Sequence, residues 1–200
     1  MKRASLFLGT IFLIQFISSC LQKEQVIEYY YVNCSISAAH IDNSGSVGVV
    51  TTEGPITKEA YGISLSIHRK ENMCLNEPQF NFPSFTPSYA VTKKGPRVEI
   101  FFVNKISDIK ITTLTNFNAF HPAGSDISEY FKVFSNKSFS SIESFVDEFQ
   151  KGYGESPLDF NCNLLLVNSP DNSGTFQFKI EAILDDGTSL ETTTTAIDLE

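Results

Sequence analysis

Thr175-Phe176-Gln177-Phe178-Lys179-Ile180-Glu181-Ala182-Ile183-Leu184 sets Phe176, Phe178, Ile180, Ala182 and Leu184 on one side of an extended chain and Gln177, Lys179 and Glu181 on the other. Successive side chains of a strand point to opposite faces, so alternation kept over this length specifies a β-strand with one face buried. Asp185-Asp186-Gly187 follows at once, and Asp-Gly accepts the positive φ that a tight hairpin needs. Working outward, residues 189–199 read as the returning strand. Residues 160–167 read as the strand before, set off by the turn Asp171-Asn172-Ser173-Gly174.

The same period of two governs the N-terminal half. Tyr30, Val32, Cys34, Ile36 and Ala38 alternate with Tyr31, Asn33, Ser35 and Ser37, and Asp42-Asn43-Ser44-Gly45 supplies a turn. Tyr61, Ile63, Leu65 and Ile67 share a face opposite Gly62, Ser64, Ser66 and His68. Residues 98–103 and 106–114 read as strands, with Ile109 and Ile111 facing away from Lys110 and Thr112. Between these blocks, Pro78, Pro83, Pro87 and Pro96 deny residues 75–96 several ladder donors and predict a long, partly irregular connection.

Only residues 126–152 depart from this period. Ile142, Phe145, Val146 and Phe149 form a helical stripe, Ser140 with Glu143 fits a capping box, and Lys151-Gly152 is a stop. Ile127, Tyr130, Phe131 and Phe134 fit helix or strand equally. The expectation is a mainly β chain in which residues 26–200 form a single antiparallel, immunoglobulin-like β-sandwich with one or two short helices.

The first twenty residues obey a different logic. Lys2 and Arg3 precede an apolar run over residues 6–17, too short to span a bilayer, and Ile17-Ser18-Ser19-Cys20 closes it. This tetrad resembles a bacterial lipobox, which implies cleavage before Cys20 and acylation of its thiol. Residues 1–19 are then a lipoprotein signal peptide and residues 20–25 a lipidated tether, on a protein of the bacterial cell envelope expected at the outer membrane. Two or three acyl chains hold a protein stably where one does not. Loss of Lys2 and Arg3 takes the formal charge from −8 to −10, which argues against a phosphate backbone and so against nucleic acid as a partner.

Enzyme signatures are thin, and the chain is expected not to be an enzyme. His40, His68 and His121 lie in separate segments, and no Gly-x-Ser-x-Gly elbow occurs. Ser107-Asp108-Ile109-Lys110 has Ser-x-x-Lys spacing, but in a strand residues three apart face opposite ways. Asp147-Glu148 and Asp185-Asp186 read as solvated carboxylates on a helix and in a turn. No Cys-x-x-Cys or paired histidine spacing suggests a metal, and no cofactor is implied.

With Cys20 acylated, Cys34, Cys74 and Cys162 remain. Cys34 and Cys162 each fall on an apolar strand face, so a disulfide between two packed sheets competes with buried free thiols, and Cys74 is the alternative partner or the spare thiol. A binding surface finds its residues in the proline-punctuated connection, where Phe80, Phe82, Phe85 and Tyr89 face either a core edge or a protein or glycan partner.

Ile17-Ser18-Ser19-Cys20, Ala60-Tyr61-Gly62-Ile63-Ser64-Leu65, the run from Ile106 to Thr113 with Asn116-Phe117-Asn118, and Ala123-Gly124-Ser125-Asp126-Ile127 together resemble small uncharacterised lipoproteins of the Bacteroidetes. That resemblance implies an envelope lipoprotein and carries no assigned chemistry. The expected role is a noncatalytic, lipid-anchored binding protein, with a structural subunit or assembly factor of an envelope complex as the alternative and an envelope hydrolase further off.

Overall fold

The computed structural model describes residues 26–45, 48–51, 54–71, 97–135, 138–152 and 159–200. The chain falls into two units, the smaller made of residues 1–28 and 78–99. In its described part, Arg97 Nε lies 3.1 Å from Glu99 Oε1. The larger unit is made of residues 29–77 and 100–200.

The chain is mainly β and its strands pair antiparallel. In the first sheet, β1 (Val26–Asp42) pairs with β3 (Tyr61–Glu71), β3 with β8 (Phe160–Leu166), and β8 with β6 (Phe131–Ser135). Short β2 (Val49–Thr51) extends the β1 edge and β7 (Ser138–Ser140) the β6 edge, while β4 (Arg97–Phe102) also pairs with β1. In the second sheet, β10 (Phe178–Leu184) lies between β5 (Ile106–Thr113) and β11 (Ser189–Thr193). A third, two-stranded sheet joins β9 (Gly174–Phe176) to β12 (Ile197–Leu199).

The first two sheets face each other because each has one apolar face to remove from water. Tyr61, Ile63, Leu65 and Ile67 of β3, Phe160 and Leu164 of β8, and Phe131 and Val133 of β6 are buried. Opposite them lie Ile109 and Ile111 of β5 and Phe178, Ile180 and Ala182 of β10. Phe178 joins the layers: its ring centroid stands 5.5 Å from that of Tyr61 and 6.0 Å from that of Phe131. At Gly62 a Cβ would come within 2.7 Å of Leu165 Cδ2 and 2.9 Å of the Leu164 carbonyl oxygen. Only glycine lets β3 and β8 approach so closely there.

The helix α1 (Ile142–Gly152) buries Ile142 and Val146, and Phe145 and Phe149 pack against Phe160. Its cap sits one residue later than the capping box predicts. Ser141 Oγ accepts the Ser144 N–H at 3.1 Å, because Ser140 is spent as the last residue of β7. The span 126–134 holds no α-helix: a 3-10 turn at Ser128–Tyr130 runs straight into β6, which takes residues 131–134.

Two further expectations are corrected. The β1–β3 register shifts between Asn33 and Ser35. This bulge breaks the single alternating face expected from Tyr30 to Ala38, putting Asn33 on the side of Arg69 and, after the shift, Ile36 on the side of Ile67. The C-terminal strands are also shorter than the alternation suggests. The ladder breaks at Gln177, which separates β9 from β10, and the residues after Thr193 leave β11 so that Ile197–Leu199 can pair with Phe176 and its neighbours. The Asp-Gly hairpin is where the sequence places it, with Gly187 at φ 83 and Asp186 Oδ1 accepting the Thr188 N–H at 2.9 Å.

Candidate functional site

His68 and Arg69 are neighbours on β3, so their side chains leave opposite faces of the first sheet. Each organises a polar cluster, and Asp159, just before β8, serves both.

On the outer face, His68 Nδ1 stands 2.8 Å from Asp159 Oδ2, and His68 Nε2 stands 3.1 Å from Ser37 Oγ. Asp159 Oδ1 accepts the Arg69 backbone N–H at 2.9 Å. That bond first, and the His68 bond second, hold the Asp159 carboxyl below its ordinary range. Ser66, the register partner of Ser37, donates its hydroxyl to Asn161 Oδ1 at 2.6 Å. His68 and Asp159 keep 43% and 41% of their side-chain surface accessible, so this row of groups is open to solvent.

On the inner face, Arg69 sits at one end of the space between the sheets. Its guanidinium carbon lies 4.4 Å from the Phe102 ring centroid and 5.1 Å from that of Phe149, and Nε donates to Asn33 Oδ1 at 3.1 Å. Such stacking on ring faces is favourable for a planar cation. Burial lowers the Arg69 pKa, opposed by the charge of Asp159.

Asn33, itself buried, is locked to Asn104: its backbone N–H donates to Asn104 Oδ1 at 2.8 Å and its Nδ2 to the Asn104 carbonyl at 2.8 Å. Together with Lys105, Ile106 and Gln150 these groups border a cavity of roughly 270 Å³. Gln150 Nε2 donates to the Ile106 carbonyl at its wall. Aromatic walls, three amides and a cationic rim give the cavity the mixed lining that orients a small polar ligand group.

The other two histidines serve structure. Buried His40 bonds Tyr61 Oη through Nδ1 at 2.9 Å and the Thr195 carbonyl through Nε2 at 3.1 Å. Because a carbonyl can only accept, Nε2 carries the proton and Nδ1 accepts from Tyr61. His121 Nδ1 lies 2.9 Å from Asn118 Oδ1 in its own loop and 3.4 Å from Tyr130 Oη in the 3-10 turn that follows.

Of the two readings of Cys34 and Cys162, a disulfide or free thiols, the structure has the free thiols. Their strands lie in the same sheet with β3 between them. Two strand spacings alone hold their strands about 10 Å apart, beyond the roughly 7 Å a disulfide allows between Cα atoms, and Cys34 is also offset along β1 from Ala38, the residue level with Cys162. Cys34 Sγ instead donates to the His68 carbonyl at 3.3 Å. Cys20, Cys74, Phe80, Phe82, Phe85 and Tyr89 lie outside the described residues.

No helix among the described residues is long and apolar enough to cross a membrane. Among them, too, no group of three or more His, Cys, Asp or Glu side chains is placed to hold a metal ion.

Residues 33–195 match the model of a protein family described as a domain of unknown function (DUF5034). No curated protein and no solved structure matches the chain.

Proposed function

The chain belongs to the DUF5034 family, and from that premise we propose that it is a lipid-anchored cell-envelope protein. Cys20 holds it to the outer membrane, and an immunoglobulin-like domain presents a binding surface to an envelope protein or a glycan. The strand order supports the immunoglobulin-like reading. Lettering β1, β3, β5, β6, β8, β10 and β11 from A to G, the sheets run A-B-E-D and C-F-G, the order of constant-type immunoglobulin domains. Against that plan, β2, β4, β7 and the β9–β12 pair are additions.

The single observation that carries the binding reading is the cavity between Arg69, Phe102, Phe149, Asn104 and Lys105. Its volume suits one sugar ring or one peptide side chain, and its amides and aromatic faces suit a glycan. The Lys105 side chain is exposed at the rim, so Lys105→Ala removes a charged donor without opening the core. Calorimetric titration with envelope glycan fragments is expected to show binding that this substitution weakens about tenfold. Equal affinities for parent and variant, or no binding to any fragment, would refute the cavity as the site.

The anchor rests on Ile17-Ser18-Ser19-Cys20. Cys20→Ala is expected to release the protein from membranes with its melting temperature unchanged, and continued membrane retention on fractionation would contradict it. The alternative, a subunit of an envelope complex, draws support from β11, which among the described residues pairs with β10 alone. An edge of this kind accepts a partner's strand.

A further inference from the structure

Asp159, His68 and Ser37 stand in series on the outer face of the first sheet, at 2.8 Å and 3.1 Å. A carboxylate only accepts hydrogen bonds, so the contact with Asp159 Oδ2 puts the imidazole proton on Nδ1 and leaves Nε2 with a lone pair for the Ser37 hydroxyl. The Arg69 backbone N–H, on the other carboxylate oxygen at 2.9 Å, fixes the plane of Asp159. The three side chains come from β1, β3 and the residue before β8, and the β1–β3 and β3–β8 ladders hold them at fixed separation. Nucleophile, base and orienting acid are recognised by such geometry and not by order in the chain.

We propose that Ser37, His68 and Asp159 form a hydrolytic site for short-chain acyl esters. Ser37 Oγ bonds to the ester carbonyl carbon while its proton passes to His68 Nε2. The tetrahedral adduct collapses by breaking the bond to the alkoxy oxygen, and the alcohol leaves with the proton from His68. Water then gives a proton to Nε2 and attacks the acyl carbon. Ser37 leaves with that proton, and the carboxylic acid is released.

Ser66, opposite Ser37 in register, already gives its one hydroxyl proton to Asn161 Oδ1. A site whose neighbouring hydroxyl is engaged in this way stabilises an oxyanion less than a pair of backbone N–H groups does, which matches the site to esters, whose leaving group is better than that of an amide. This activity goes beyond the binding reading and depends on neither the anchor nor the cavity.

The test uses the full chain carrying Cys20→Ala, a fluorophosphonate probe mapped by peptide mass spectrometry, and turnover of p-nitrophenyl acetate. The probe is expected on Ser37, with Ser37→Ala unlabelled. Ser37→Ala and His68→Gln should each lose about 10²-fold or more in kcat at unchanged melting temperature. Asp159→Asn should lower kcat with KM held and displace the pH profile of kcat, which a merely structural role would not do. A folded parent protein without an adduct at Ser37, or a Ser37→Ala variant that turns over ester at the parent rate, overturns the proposal.

Discussion

Tyr61→Phe removes one oxygen atom from the centre of the core, and the structure fixes what that costs. Tyr61 is 1% exposed and His40 1% exposed, so neither can turn to solvent. The Tyr61 hydroxyl donates to His40 Nδ1 at 2.9 Å, and its loss strands a buried acceptor. Leaving such a group unsatisfied costs about 1–3 kcal/mol. For a chain of this length each kcal/mol moves the melting temperature by about 2–4 °C.

Urea denaturation at pH 8, followed by circular dichroism, should therefore show a lower midpoint at unchanged slope for Tyr61→Phe. In a double-mutant cycle with His40→Phe the two losses should fall short of their sum, because the second substitution removes the orphaned acceptor. The exposed Thr195, the other partner of His40, turns to water in that background. A Tyr61→Phe protein within about 0.5 kcal/mol of the parent, the range of neutral surface changes, would refute the assigned bond.

Acid should act on the same pair. Burial holds the His40 pKa below its ordinary value, opposed by the bond to Thr195. The unfolded chain thus takes up a proton that the folded chain resists. Stability should be full above the ordinary histidine range and decline as pH falls through it, by at most about 1.4 kcal/mol per pH unit for one proton, and His40→Phe should flatten that decline in a pH series of urea melts. Gly62→Ala should cost about 1–3 kcal/mol, read from thermal melts, since its Cβ meets the Leu164 backbone and Leu165. Burial pushes the Cys162 thiol up to about 12, so iodoacetamide at pH 8 should alkylate Cys34 in the native protein well before Cys162, and mild oxidants should form no bridge between them.

The β-rich character and the core of the fold were legible because their signals are local. Tyr61, Ile63, Leu65 and Ile67 alternate as their burial does, and Asp186-Gly187 turns where it stands. The helix was legible as a stripe, though its cap lay at Ser141 because β7 claims Ser140. The face of Cys34 was not legible, since a bulge inserts one residue without marking the sequence, and one residue reverses every side chain before it.

The outer-face cluster was hidden for another reason. Ser37 lies 31 residues and Asp159 91 residues from His68, and only the pairing order of β1, β3 and β8 brings them to one spot. The one available signal was that His68 shares the polar side of its strand with Ser64 and Ser66. Arg69 was obscured in the same way, because Phe102 and Phe149 reach it from a different strand and from the helix.

The ladder between β1 and β3, unbroken in direction from Tyr31 to Asp42 apart from its one bulge, has a mechanical consequence. A pull arriving from the N-terminal side of the chain runs along the axis of β1, so its rungs share the load in shear and must rupture together instead of peeling one at a time. A domain tugged by a tether at that end would resist forces that unzip a hairpin pulled crosswise.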